Sequence, residues 1–377
     1  MPAIHQLVQR EGHFVRMRCT PGNNPLEFNE IVGNGADLHQ LGFDCFRITH
    51  SSFSIAHRVL HHAAATLATS PGSLNAQERI IRFMRWPSAV LLFAAITPLW
   101  SQNIRVLVWD ERQPQQKDAY PNFIGNHLAD HLRKLPGITV TKSVGLDDPE
   151  HGLGGDTLDN CDVVIWWGHI RQGEVPTEIG ARMVERIKAG KLSLIALHAS
   201  HWSVPFIAAM NEVTMEEARR RYPGANVKFD IVPPPGRLVP TYDSMVTPAY
   251  YAFRESQGVQ RVRVDLPLSV FPGWRGDGKP SVVTVLKPEH PIVKGVSARF
   301  TIPATEAYLE PFHVPAPDEV IMQETWAAGG WFRSGMVWNL GRGKVFYFRP
   351  GHETFKVYFE EMPLKIIENA VRWMGQK

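Results

Sequence analysis

Three histidines stand just behind apolar runs, in Trp166-Trp167-Gly168-His169, Leu197-His198-Ala199-Ser200-His201-Trp202 and Phe348-Arg349-Pro350-Gly351-His352-Glu353. Neutral imidazole is the commonest side-chain ligand of first-row metals and the usual general base near pH 7. One histidine at a strand end is more often a hydrogen-bonded structural residue than a ligand. Three on one rim describe a shared polar site, in which His169, His198 and His352 are the expected ligands of a divalent metal, zinc or manganese. His198 and His201 are three apart, so both face one point only if the chain turns at Ala199-Ser200.

Glu306-Ala307-Tyr308-Leu309-Glu310-Pro311-Phe312 places two carboxylates four apart around an aromatic ring. Such a pair can act as general acid and base, or as metal ligand and base; a solvated surface turn is the plainer alternative. The candidate catalytic residues are therefore His198, Glu306, Glu310, His352 and Glu353. His201, Trp202, Tyr308, Trp167 and Arg349 are the candidate substrate-binding residues, because rings with a polar edge suit sugar recognition. A tryptophan inside a buried strand is more often core, so among the aromatics Trp202 and Tyr308 are the ones expected to reach a ligand.

The elements that must position these residues follow from periodicity. Ile104 to Trp109 and residues 139–141 read as strands, separated by a helix carrying Ile124, Leu128, Leu132 and Leu135 and closed by Pro136-Gly137. Asp162 to Gly168 and Leu192 to Leu197 are apolar throughout, as strands covered on both faces are. Between them Pro176 opens a helix with Ile179, Met183, Val184 and Ile187 on one face, ended by Gly190. Strands alternating with helices imply a parallel sheet, whose ligands bind beyond the carboxyl ends of the strands. From Asn211 to about residue 280 the rhythm is lost, which predicts an inserted lid or side wall. Strands return at Ser281 to Leu286, Val320 to Trp326, Ser334 to Leu340 and Lys344 to Phe348, the last two joined by a hairpin at Gly341-Arg342-Gly343. A helix over Glu361 to Met374 closes the domain.

Composition narrows the function. A net charge of +3 in 377 residues, without a basic block, gives no reason to invoke nucleic acid. The three cysteines, Cys19, Cys45 and Cys161, have neither CxxC spacing nor a disulfide framework. No nucleotide is expected: Gly33-Asn34-Gly35 lacks the third glycine of a dinucleotide loop, and Gly152-Leu153-Gly154-Gly155 lacks the following Lys-Ser/Thr. His127 and His131 lack the Glu of a zincin motif and read as a helix face, with His127 near enough to the helix start to reach the rim.

The amino-terminal region reads differently. Met84-Arg85-Trp86-Pro87-Ser88, the apolar run Ala89 to Ile96, then Pro98 and Ser101 have the parts of a secretory signal peptide over residues 84–102, too short to span a bilayer. Residues 1–83 contain no Lys and no Tyr, and read as a spurious or disordered leader. The functional domain is expected over residues 103–377, in a periplasmic or secreted protein with no stable membrane span once the signal is removed.

Several stretches together resemble the ThuA-like family of trehalose utilisation. They are Trp166 to His169, Leu197 to Ser203, His290-Pro291-Ile292-Val293-Lys294-Gly295-Val296, Glu306 to Phe312, Phe332-Arg333-Ser334-Gly335 and Val345 to Thr354, within a likeness over about residues 104–375. The resemblance implies a three-layer α/β/α, flavodoxin-like fold similar to class I glutamine amidotransferases, with a mostly parallel sheet and the inserted segment as a lid. Glutamine hydrolysis is not expected, since the strand-to-helix turn reads Leu197-His198-Ala199-Ser200 where an amidotransferase needs a nucleophilic Cys. The implied role is carbohydrate catabolism, with acid–base or metal-assisted chemistry on a trehalose-type or keto sugar. A non-catalytic sugar-binding module and a partner of a sugar oxidoreductase remain the alternatives. Export predicts a mature chain that begins near Gln102, checked by amino-terminal sequencing of protein from its native host; a mature chain that keeps residues 1–83 as a protease-resistant unit would overturn it.

Overall fold

The computed structural model describes residues 103–233 and 248–376, and the backbone of residues 4–10 and 13–19. The chain divides into two units, residues 1–100 and 101–377. In the first, β1 (Ile4–Arg10) and β2 (His13–Cys19) pair as an antiparallel hairpin with Arg10 opposite His13. The expected signal segment and the rest of the leader lie outside the described residues.

The second unit opens with β3 (Ile104–Asp110), α1 (Ile124–Leu132), β4 (Ile138–Gly145), β5 (Val163–Trp167), α2 (Thr177–Lys188), β6 (Ser193–Leu197) and α3 (Val204–Arg221). There follow β7 (Val227–Val232), β8 (Ala249–Ser256), β9 (Val259–Asp265), β10 (Gly273–Arg275), β11 (Ser281–Val285), β12 (Arg299–Ile302) and β13 (Ala307–Leu309). The last elements are β14 (Glu319–Trp326), β15 (Trp331–Leu340), β16 (Gly343–Phe348) and α4 (Glu361–Met374).

Nine strands form one sheet in the order β12-β11-β14-β15-β16-β6-β5-β3-β4. From β16 to β4 every pairing is parallel, and from β16 to β12 every pairing is antiparallel. The expectation of a mostly parallel sheet is thus corrected to a mixed one. The reason is local: β15 and β16 meet through the tight turn at Gly341-Arg342, and antiparallel neighbours need no helical crossover.

Every residue of β5 and β6 is buried because both faces are covered. Alternate side chains feed two cores. Val164, Trp166, Leu194 and Ala196 meet Met183 and Ile187 of α2 and Phe206 and Met210 of α3. Val163, Ile165, Ile195 and Leu197 share the other core with Ile124 and Leu128 of α1 and Ile366, Ala370 and Val371 of α4. Gly190, at φ 68°, ends α2 in the left-handed region that glycine enters without steric penalty. At roughly 25 cal/mol per Å² of apolar surface, burial of this two-sided kind is the main force holding the strand ends in register.

The insertion begins later than the sequence suggests. Residues 211–221 complete α3, an 18-residue helix whose amino terminus is capped by Ser203 Oγ accepting from Phe206 N at 3.3 Å. Its apolar residues do not form one stripe because they serve two partners: Phe206 and Met210 face the large sheet, while Met215 and Ala218 face Val262 and Val264 of a second sheet. That sheet has three strands, in the order β7-β9-β8. Further along, β10 pairs with β13, which brings the end of the insertion against the stretch carrying Glu306. Among the described residues no helix is long and apolar enough to cross a membrane.

Cys161 enters β5 fully buried, with Sγ directed at Leu158 O at 3.5 Å, and burial pushes its thiol up to about 12. A native protein should therefore leave this thiol unlabelled by a thiolate-specific reagent at pH 8, with full labelling after denaturation. Cys161→Ser should keep activity within about tenfold, roughly 1.4 kcal/mol of transition-state free energy; a larger loss in a folded variant would contradict a packing role.

Candidate functional site

His198 is the first residue after β6 and sits at φ 51°, in the left-handed region that non-glycine residues seldom enter and that persists where the surroundings over-determine it. The 3-10 turn His198–Trp202 follows at once, so the chain does turn at Ala199-Ser200. Two hydrogen bonds from β16 and its exit hold this conformation. Tyr347 Oη donates to the His198 carbonyl at 2.8 Å, and His198 Nδ1 lies 2.9 Å from the Arg349 carbonyl. A carbonyl only accepts, so Nδ1 carries the proton and the Nε2 lone pair is left facing the cleft. Nε2 meets Tyr308 Oη at 3.1 Å and Glu306 Oε2 at 3.2 Å. Burial, then the nearby His352, His169 and Arg349, keep His198 well below the usual imidazole range, so it is neutral.

Glu306 is the second party to that contact. Its Oε2 is buried with no hydrogen-bond partner, so the approach to Nε2 brings two lone pairs together. A proton or a cation between them removes the repulsion. Burial raises the Glu306 carboxyl above its ordinary range, against the opposing pull of His352 and His169.

The loop after β5 supplies His169. Its Nδ1 donates to Glu353 Oε1 at 2.8 Å and Oε2 at 3.0 Å. Burial opposes charge on His169, but the Glu353 hydrogen bond and the carboxylates Glu353, Glu306 and Glu111 outweigh it and raise the imidazole overall. Burial likewise acts to raise Glu353, yet the His169 hydrogen bond and the charges of His169 and His352 bring it down to about 2. His352 is lowered, by burial above all, and its Nδ1 accepts from Thr354 N at 3.3 Å. The three rings converge: His169 and His352 are 5.1 Å apart between centroids, His198 and His352 5.3 Å, and His169 and His198 6.0 Å.

Among the described residues, two groups could hold a metal, His198 with Glu306 and His352, and His169 with His352 and Glu353, the atoms of each lying within 4.8 Å of one another. His352 belongs to both. Imidazole nitrogens with a carboxylate oxygen are a donor set that zinc and manganese accept. The partnerless Glu306 Oε2 facing the Nε2 lone pair is the feature that fits a cation best.

Other residues expected at the site have different tasks. Arg349 is fully buried rather than open to substrate: Nε donates to Glu324 Oε2 at 2.6 Å and Nη1 to Thr305 Oγ1 at 3.1 Å, with further bonds to Glu324 Oε1 and the Glu306 carbonyl. Glu310 is not brought into the cluster. It accepts from Arg333 Nε at 2.7 Å, Arg333 Nη2 at 3.0 Å and Phe312 N at 2.5 Å, which ties down its own loop. Trp167 is buried core, its Nε1 donating to Gly351 O at 2.9 Å, so it shapes the turn before His352. Trp202 packs with Ile207, Leu268 and Val270. His201 meets Ser269 O at 2.5 Å through Nδ1, lies edge-on to Tyr308, and is pushed down to about 3 by burial. Of the expected substrate-binding set, Tyr308 meets the histidine cluster with its ring, stacked on His198 at 5.0 Å between centroids, and Arg349 meets it through its backbone carbonyl. His127 faces away from any such role, its Nε2 at 2.8 Å from Tyr358 O.

Sequence reasoning missed Glu111. From the end of β3 its carboxylate accepts from the backbone N–H groups of His169 (2.8 Å), Ile170 (3.0 Å) and Gln172 (3.0 Å), and so sets the loop that presents His169. The signal was available: Asp110-Glu111 places two carboxylates just past a buried strand. Asp110 in turn accepts from Gly125 N at 2.6 Å and Gln116 Nε2 at 2.7 Å, fixing the start of α1. Ser200 is occupied as a spacer, donating to Trp166 O at 3.0 Å and accepting from Gly168 N at 3.1 Å, which leaves it no role as a nucleophile.

A mixed α/β sheet with a histidine–carboxylate cluster beyond its parallel strand ends defines the class. The sequence matches the family model ThuA, described as trehalose utilisation, over residues 105–374, and the chain belongs to that family. Its general association is with sugar metabolism. Similar solved structures include a ThuA-like protein from Bacteroides uniformis, with 14% identity, a TM-score of 0.42, and coverage of 72% of this chain and 91% of that one. A ThuA-like protein from Parabacteroides merdae has 13% identity and a TM-score of 0.43, covering 73% of this chain and 90% of that one. A cytoplasmic protein from Salmonella typhimurium has 13% identity and a TM-score of 0.39, covering 73% of this chain and 100% of that one. No curated protein matches the chain.

Arg349→Met leaves Glu324 buried without its partner, which should destabilise the fold by about 3–5 kcal/mol, and the double change with Glu324→Leu should recover much of that. Thermal unfolding of the two variants checks it; an Arg349→Met protein of unchanged Tm that had lost only ligand binding would restore the substrate role.

Proposed function

We propose that this protein is an enzyme of carbohydrate catabolism, acting outside the cytoplasm on a trehalose-type or keto sugar. Its fold is read as the flavodoxin-like arrangement of the amidotransferase-related proteins, with the chemistry done by acid–base groups and a divalent metal. The single observation that carries the reading is the contact of His198 Nε2 with Glu306 Oε2 at 3.2 Å, beside two further histidines and a second carboxylate.

His198, Glu306 and His352 would hold the metal, zinc or manganese. When bound, it would act as a Lewis acid towards a sugar carbonyl or hydroxyl oxygen. The remaining work belongs to the side chains. Glu353, held down to about 2, stays a carboxylate at any physiological pH, and it fixes the Nδ1–H tautomer of His169. With its pKa raised, His169 keeps a second proton on Nε2 further into the neutral range than a free imidazole, which suits a general acid. Tyr308 Oη, whose ionisation burial raises well out of range, remains a neutral hydroxyl that donates to His198 Nε2 when no metal takes that lone pair. Titratable groups in contact, with environments that push their pKa values apart, are how one site holds both an acid and a base at one pH.

Purified protein should carry about one equivalent of zinc or manganese by elemental analysis, and His198→Ala and Glu306→Gln should each lower that occupancy at least tenfold without loss of fold. Chelation should stop turnover in an NMR screen of disaccharides and keto sugars, with re-addition of the metal restoring it. A metal-free protein that binds the same sugars and never converts them would replace this reading with a sugar-binding module.

A further inference from the structure

Trp274 is 59% exposed, although it sits on a paired strand rather than a free loop tip. Its partner on β13 is Tyr308, the residue that stacks on His198. Two positions on is Gly276. A Cβ there would stand 3.6 Å from Trp274 Cζ3 and 4.0 Å from Glu306 Oε1, so the indole edge and the carboxylate border one small gap. Gly276 is not among the glycines with positive φ, and both contacts are ordinary van der Waals distances, so neither backbone nor packing demands glycine here. What its missing side chain does is leave the gap open.

The same loop is held at one end and folded on itself at the other. Arg275 Nη2 donates to Gly329 O at 2.9 Å, and within the loop Asp277 Oδ1 accepts from Lys279 N at 3.1 Å. Gly278 lies so close to Phe355 that a Cβ would meet its Cε1 at 3.0 Å, and the Phe355 ring is 5.5 Å from that of His352. The wall that bears Trp274 therefore runs from the Glu306 side of the cluster to the His352 side. A large indole left in water beside a buried carboxylate has an apolar face to offer and a polar neighbour to fix orientation, the two elements that recognise a pyranose ring.

We propose that Trp274 is the platform on which the sugar ring stacks, with Gly276 holding open the space between that ring and Glu306. The inference rests on the sugar-processing reading of the site and adds the residue that grips the substrate. Trp274 is a positioning residue; it delivers the ring to Glu306 and the histidines and takes no part in proton transfer.

The test is binding of trehalose, glucose and methyl α-D-glucopyranoside, followed by saturation-transfer NMR and tryptophan fluorescence on the full chain. Metal content and Tm are measured in parallel. For whichever of these sugars the wild-type protein binds, Trp274→Ala should weaken binding at least tenfold at unchanged Tm and metal content. Trp274→Phe should recover part of it, and Gly276→Leu should abolish it by filling the gap. Binding that survives Trp274→Ala within twofold overturns the platform and leaves the proposed function standing. If the wild-type protein binds none of the three sugars, the platform is overturned, and the keto-sugar form of the proposed function is decided by its own NMR screen.

Discussion

The site depends on one buried charge. Arg349 has no access to water, and a guanidinium cannot shed its proton, so every donor it carries must find an acceptor inside the protein. Glu324 on β14 takes two of them, and the Thr305 hydroxyl and the Glu306 carbonyl take two more. The same residue's carbonyl accepts the Nδ1 proton of His198. One residue thus fixes both partners of the central contact, Glu306 through its side chain and His198 through its backbone. The rotamer and tautomer of His198 and the placement of Glu306 follow from that requirement.

Around this fixed pair the electrostatics are arranged by who can see water. His198 is wholly buried and stays neutral, while the side chain of His169 is 28% exposed and leans on a carboxylate, so it keeps its proton longer. Glu306 and Glu353 are both buried and differ by partner instead: burial raises Glu306, whose Oε2 faces a lone pair, while the His169 N–H and the nearby imidazoles bring Glu353 down. Two histidines and two carboxylates are thereby set to different protonation behaviours by burial and local partners together.

Much of this was legible in sequence. Apolar runs followed by His169, His198 and His352 announced three strand ends, and the helix over Glu361–Met374 was readable to the residue. What stayed hidden was determined by contacts across long separations. Arg349 looked like a substrate ligand because nothing near it in sequence reveals Glu324, and Glu310 looked catalytic because Arg333 lies on another strand. The carboxyl half of α3 was unreadable for a different reason. Its apolar residues answer to two sheets at once, so the single-stripe periodicity of an ordinary surface helix is absent.

The mixed pairing of β16 has a consequence for how the protein comes into being. This strand joins the parallel half to the antiparallel half: His169 and His198 follow strands of the parallel half, while Glu324, which holds Arg349, lies on β14 in the antiparallel half. Chain synthesis delivers His169 and His198 early, but the carbonyl that orients His198 belongs to residue 349 and the third ring to residue 352. Domains form from the amino terminus while the ribosome is still adding residues, so the parallel core can begin to assemble with an incomplete rim. A growing chain therefore holds His169 and His198 without their third ring and without the carbonyl that orients His198 until residue 352 has emerged, so the cluster closes in one late step rather than residue by residue.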